Sequence, residues 1–181
     1  MFIRLKYIVF IFIFSSFTSF SQELVQNNKT SSIAFKIRNL GFNVAGNFYD
    51  FKVLTNFNSK DLKASFLNAE ISVKSIFTDS KARDKHLLES DYFDVEKYPK
   101  IVFKSLQIKQ ENNAKYNIKG ILTIKGVDKL VEAPLDINAS KNGITITANF
   151  GVNRKDFDVG GSSFVLSKVV NIKMIYVGNK N

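Results

Sequence analysis

The chain has 181 residues, a formal net charge of +10 at pH 7, one His and no Cys. Without Cys it has no disulfide framework, no thiol nucleophile and no cysteine-linked lipid anchor. A lone His with no Cys also excludes a zinc site built from His and Cys ligands.

The first 21 residues read as a signal peptide and not as part of the fold. Arg4 and Lys6 make a basic start, Tyr7 to Phe14 is an unbroken apolar run, and small residues flank Phe20 in Ser19-Phe20-Ser21 as a cleavage site requires. The apolar run is shorter than the roughly 20 residues that span a bilayer; the alternative is an uncleaved N-terminal anchor. Cleavage near Ser21-Gln22 predicts a periplasmic or secreted protein of residues 22–181, a single domain by its length. The removed segment carries two bases and no acid, which leaves a net charge of +8. Such a surface suits transient contact with an anionic membrane, although the lysines are scattered and read equally well as a solvated face.

Period-2 alternation dominates the rest and argues for strands with one buried face. Ile33, Phe35 and Ile37 alternate with Ala34, Lys36 and Arg38. Gly46 and Phe48 follow, and the phase then changes so that Phe51, Val53, Thr55 and Phe57 share a face, as at a bulge or sharp bend. Ala69, Ile71 and Val73 make the third strand. Asp79 or Ser80 then caps a short helix over Lys81–Leu88, Ser90 offers a cap for a second turn holding Tyr92 and Phe93, and Tyr98-Pro99 ends this insert. Strands resume at Ile101, Phe103 and Ser105; at Tyr116 to Ile124; at Val131 to Ile137; at Ile144 to Val152; and at Val170 to Tyr176. Asn112-Asn113, Lys125-Gly126, Asn142-Gly143 and Gly160-Gly161 supply turn chemistry. The expected fold is all-β: an extended eight-stranded antiparallel, lipocalin-like barrel with a helical insert between its third and fourth strands.

The polar cluster Arg83-Asp84-Lys85-His86 admits two readings. Asp84 orients His86 as a general base, or these residues tie the helix to strand backbones. The second is favoured, because positions two apart on a helix do not face each other. There is no G-x-S-x-G elbow and no phosphate-cradling glycine loop, so no catalytic or metal residue is assigned. The aromatics occupy inward-type positions instead of standing exposed beside bases, which argues against nucleic acid. Small residues (Ser105, Gly120, Ala133, Ala148) sit among them in phase. Alternation of large and small describes a packed barrel as well as a hollow one, so the interior stays open on this ground.

The run Arg83 to Leu87 followed by Ser90 to Ser105 resembles the signature of the YceI-like proteins. Leu40-Gly41-Phe42 through Gly46-Asn47-Phe48, Gly120 to Val127, and Asn153 to Phe157 match the same family in order and spacing, over about residues 30 to 177. Two positions depart from its pattern: Asn39 stands where His is common, and Asp158 where Gly is usual. The resemblance implies a periplasmic, lipocalin-like barrel that binds, stores or carries an isoprenoid lipid (polyprenyl or quinone-type), with no cofactor besides that ligand. Inward phase then nominates Phe35, Ile37, Phe48, Phe51, Ile71, Val73, Phe103, Leu122, Leu135, Ile146, Phe150 and Ile172 as the lipid-binding cavity. Arg83, Asp84, His86 and Asp91 would hold the insert, with Arg154 and Asp156 as a second polar anchor. The alternatives are an enzyme acting on a small apolar substrate through His86 and Asp84, and a filled barrel serving as a stress or interaction module. The oligomeric state stays open, a dimer included.

Overall fold

Runs with one apolar face must bury it against another layer or against themselves, and this chain rolls one antiparallel sheet around its own apolar side. The computed structural model describes residues 24–180. The signal segment expected over residues 1–21 lies outside the described residues.

The strands are β1 (Leu24–Gln26), β2 (Ser32–Asn39), β3 (Phe42–Phe48), β4 (Phe51–Thr55), β5 (Leu67–Ser72), β6 (Ile76–Phe77), β7 (Lys100–Asn112), β8 (Lys115–Ile124), β9 (Val127–Ala139), β10 (Gly143–Asn153) and β11 (Val169–Lys180). Helix α1 covers Lys81–Leu87, and two 3₁₀ turns cover Val73–Ser75 and Arg154–Phe157. The hydrogen-bonded order is β4-β5-β7-β8-β9-β10-β11-β2-β3-β6, with β1 on β11. The barrel-type, all-β fold with its helical insert stands as expected. The strand count rises from eight to eleven for two reasons. The short strands β1 and β6 carry too little alternation to be seen, and the expected second strand is really two, β3 and β4.

That division explains the change of phase after Phe48. It is not a bulge. The chain turns at Tyr49-Asp50 and leaves one end of the sheet order for the other. The seam between the ends is stitched by a side chain. The Gln26 amide donates to the Phe51 carbonyl at 3.1 Å and accepts from Val53 N–H at 2.7 Å, taking the place of a peptide group in a ladder. Further along, Ser72 N–H donates to the Asp50 carbonyl at 2.9 Å and Tyr49 N–H to the Ser75 carbonyl at 3.2 Å.

Two hairpins turn on paired residues with positive φ: Lys125-Gly126 (50° and 74°) and Leu40-Gly41 (50° and 82°). Both residues of such a tight turn must adopt this conformation, since it matches the twist of the flanking strands. The first was legible as a turn. The second was not, because Leu is a poor occupant of that position.

One end of the barrel is filled. Ile108, Tyr116, Ile137, Ile144, Ile146 and Tyr176 are all buried there, and Phe57 meets Tyr116 edge-on with centroids 5.1 Å apart. The Tyr176 hydroxyl is buried without a hydrogen-bond partner, and burial pushes its phenol above the ordinary value.

Candidate functional site: an apolar cavity under a polar mouth

The other end is hollow. From about the level of Ala133 and Ala148, the inward faces of the long strands surround a cavity of ≈ 800 Å³. This lies within the ~300–1,000 Å³ typical of small-molecule sites. The sequence left a hollow and a packed barrel equally open, and the structure contains both, end to end.

Small and large residues make this space together. Ala133 and Ala148 line it without reaching across it. The Phe35 ring occupies the space that a Cβ on Gly46, its cross-strand partner, would need. A ring laid over a glycine covers the wall and leaves the lumen open.

The helical insert bounds the mouth. Ser80 caps α1 by accepting from Arg83 N–H. Arg83 and Asp84 converge on Thr78, a buried residue. Arg83 Nε donates to Thr78 Oγ1 at 2.8 Å and its Nη2 to the Thr78 carbonyl at 2.6 Å. Asp84 Oδ1 accepts from Thr78 N–H at 2.8 Å and from Thr78 Oγ1 at 2.5 Å. The helix is thereby tied to the chain leaving β6, and the insert is pinned at its far side by Phe93, whose ring meets Phe48 edge-on at 6.3 Å.

A second anchor faces the insert. Arg154 is only 4% exposed, and its guanidinium is solvated by carbonyls alone. Nε donates to Ser167 at 2.9 Å, Nη1 to Val159, Gly160 and Gly161 at 2.7, 2.9 and 3.1 Å, and Nη2 to Leu166 at 3.3 Å. It shapes the loop before β11. That loop meets the insert where Gly160 N–H donates to the Asp91 carbonyl at 2.8 Å and Tyr92 packs over Gly160.

Of the twelve nominated cavity residues, nine line it: Phe35, Ile37, Phe48, Ile71, Phe103, Leu122, Leu135, Phe150 and Ile172. Three do not. Phe51 packs beside the core at the seam held by Gln26, Val73 is buried in a 3₁₀ turn that breaks the alternation of β5, and Ile146 belongs to the filled end. Strand residues outside the nominated twelve also line it, Val44, Leu67 and Ile76 among them, and a further group comes from non-strand segments: Leu87, Tyr92, Phe93, Phe157, Val159, Val165 and Leu166. No alternation exists there to reveal them.

The polar nominees also divide. Arg83, Asp84 and Arg154 are structural anchors. Asp91 holds the insert through its carbonyl, not its exposed carboxylate. Asp156 does not partner Arg154; it accepts from Asn153 Nδ2 at 2.8 Å on the surface. His86 Nδ1 lies 2.8 Å from Glu89 Oε2, and its ring meets Tyr92 at 4.8 Å. Asp84 is engaged with Thr78, so His86 and Asp84 do not form an acid–base pair. The second predicted helical turn, after Ser90, is a series of non-helical turns instead. Asp158, where the resemblance implies Gly, keeps the left-handed backbone with φ 54° and ψ 39°.

Comparison with known proteins agrees with this architecture. The chain matches the YceI-like domain over residues 25–177. A UPF0312 protein of Photorhabdus laumondii is 38% identical over 112 residues, covering 61% of this chain and 56% of that protein. The chain thus spans little more than half the length of that relative. A UPF0312 protein of Yersinia pestis is 29% identical over 156 residues, covering 80% of this chain and 81% of that protein. Among solved structures, Burkholderia cenocepacia BcnA superposes with a TM-score of 0.81 at 24% identity, over 84% of this chain and 99% of that chain. The Campylobacter jejuni YCEI protein does so at 0.72 and 28%, over 77% and 86%. A polyisoprenoid binding domain from Saccharophagus degradans, implicated in plant cell wall breakdown, gives 0.71 at 12% identity, over 88% and 99%, a likeness of fold alone.

Proposed function

The chain belongs to the YceI-like family, and from that premise we propose that its barrel binds an isoprenoid-type lipid, polyprenyl or quinone, without catalysing a reaction. The observation that carries this reading is the ≈ 800 Å³ cavity with its almost wholly apolar wall. Each buried CH₂ contributes about 0.8 kcal/mol, so a branched hydrocarbon chain gains enough from such a wall to offset its ordering cost. The polar head stays at the mouth, beside Asn39, Ser80, Arg83, His86 and Ser163, which border the cavity together with no carboxylate among them. The solved polyisoprenoid binding domain of the same fold supports the choice of ligand class. The chain acts in the periplasm or outside the cell once residues 1–21 are removed.

Solvent extraction of protein purified from its native host, followed by mass spectrometry, is the test. An isoprenoid recovered in a fixed ratio to protein is the expected result. Protein that yields no lipid and takes up no added isoprenoid would refute the reading. A His86→Ala variant should still take up isoprenoid, because the apolar wall and not an acid–base pair carries binding; N-terminal sequencing of the exported protein should begin near Gln22.

A further inference from the structure

The mouth of the cavity is also the place where the surface is least like that of an ordinary soluble barrel. Leu40 and Phe42 project from the β2–β3 hairpin and are exposed, as are Phe164 and Val165 in the loop before β11. These two segments are one surface. Leu40 N–H donates to the Val165 carbonyl at 3.0 Å, Ser167 N–H to the Arg38 carbonyl at 2.8 Å, and Asn39 bridges Leu166. Leu40 holds a positive φ of 50° at the first position of its tight turn, a place ordinarily taken by Asn, Asp or Gly. An apolar side chain is thus kept at an exposed hairpin tip against local preference.

The charge lining this patch is basic. Arg38, Lys155 and Lys168 line a groove with Phe164 and Val165. Residues 24–49 and 159–181 contain no acidic residue at all. Of the acids near the loop before β11, Asp156 and Asp158 are engaged with Asn153 and Lys125, and Asp91 meets Gly160 through its carbonyl. The patch is also continuous with the interior, since Ser163, Val165 and Leu166 border both groove and cavity. Apolar side chains rimmed by bases are the chemistry of an interfacial anchor on anionic lipid.

We propose that this end of the barrel docks on an anionic bilayer, with Leu40, Phe42, Phe164 and Val165 entering the headgroup region and Arg38, Lys155 and Lys168 meeting lipid phosphates. Docking sets the cavity mouth against the membrane. The inference goes beyond lipid binding, and its test needs no bound lipid.

The experiment is co-sedimentation of the purified chain with phosphatidylcholine vesicles, with and without phosphatidylglycerol. The chain should sediment with the anionic vesicles and stay in solution with the neutral ones. The double variant Phe42→Ser/Phe164→Ser and the double variant Arg38→Glu/Lys168→Glu should each weaken binding by about tenfold or more. Leu106→Ser should not, because exposed Leu106 lies on β7, remote from β11 in the sheet order. These side chains are solvent-facing, so an unchanged melting temperature verifies folding. The proposal is overturned if the parent chain stays in solution with anionic vesicles, or if either double variant sediments like the parent. It is overturned too if sedimentation velocity finds a dimer that Phe164→Ser dissolves, since a second copy would then be the occupant.

Discussion

The Phe103 ring fills the space beside Gly120 where a side chain would stand, so that even a single Cβ there would collide with the ring and with the Lys104 carbonyl. Gly120 pairs with Ser105 and Phe103 with Leu122, so the ring leans diagonally along the wall. The most bulky inward residue of β7 thus covers backbone instead of crossing the lumen.

Gly120→Ala should push Phe103 toward the cavity or force the two strands apart. Overpacking of this kind costs about 1–3 kcal/mol, read as a lower urea midpoint. Uptake of an apolar fluorescent probe should fall in parallel. A variant with unchanged stability and uptake would show that the glycine does not shape the void.

Among the described residues, Arg154 is the sole side-chain donor to the carbonyls it holds in the loop before β11. Arg154→Met should orphan several acceptors, at about 1–3 kcal/mol for each that stays buried, so the chain should lose on the order of 3 kcal/mol or more. Arg154→Lys should recover less than half of this, because an ammonium lacks the planar fork that reaches Ser167 on one side and Val159 on the other. Hydrogen exchange over residues 159–168 should accelerate in both.

Asp84→Ala removes the only acceptor that the buried Thr78 N–H has among the described residues. A loss of about 2 kcal/mol is expected, together with faster proteolysis of the insert between residues 79 and 98. Because the insert borders the mouth, release of the apolar probe should quicken. Unchanged proteolysis would mean that the Arg83 bonds to Thr78, the Asp91 carbonyl and Phe93 packing retain the insert without Asp84.

Tyr176→Phe should be neutral or stabilising by up to about 1 kcal/mol, because it removes a buried hydroxyl with no partner. The phenol's pKa is raised in the fold by burial, so the folded state favours the protonated form. That contribution is fully present below the unfolded value of about 10 and is lost as pH rises past it. Parent chain and variant should therefore diverge in urea midpoint above that pH.

The strands were legible because alternation is a local property, written into each run. Asp84 and Arg83 were legible as ties of a helix to a backbone, but not their meeting point, Thr78, which has no distinguishing sequence context. Arg154 was legible as an anchor, yet its nominated companion Asp156 is a surface cap. Backbone carbonyls, the true partners, are the same at every position and leave no trace in a sequence.

Ile146 and Phe150 mark the limit most clearly. They lie on one strand, on one face, at the same period, and the sequence treats them alike. Ile146 is buried in the filled end and Phe150 lines the cavity. Periodicity determines which way a side chain points. Whether it meets another side chain or a void depends on the volumes arriving from the opposite wall, and only the closing of the sheet brings those walls together.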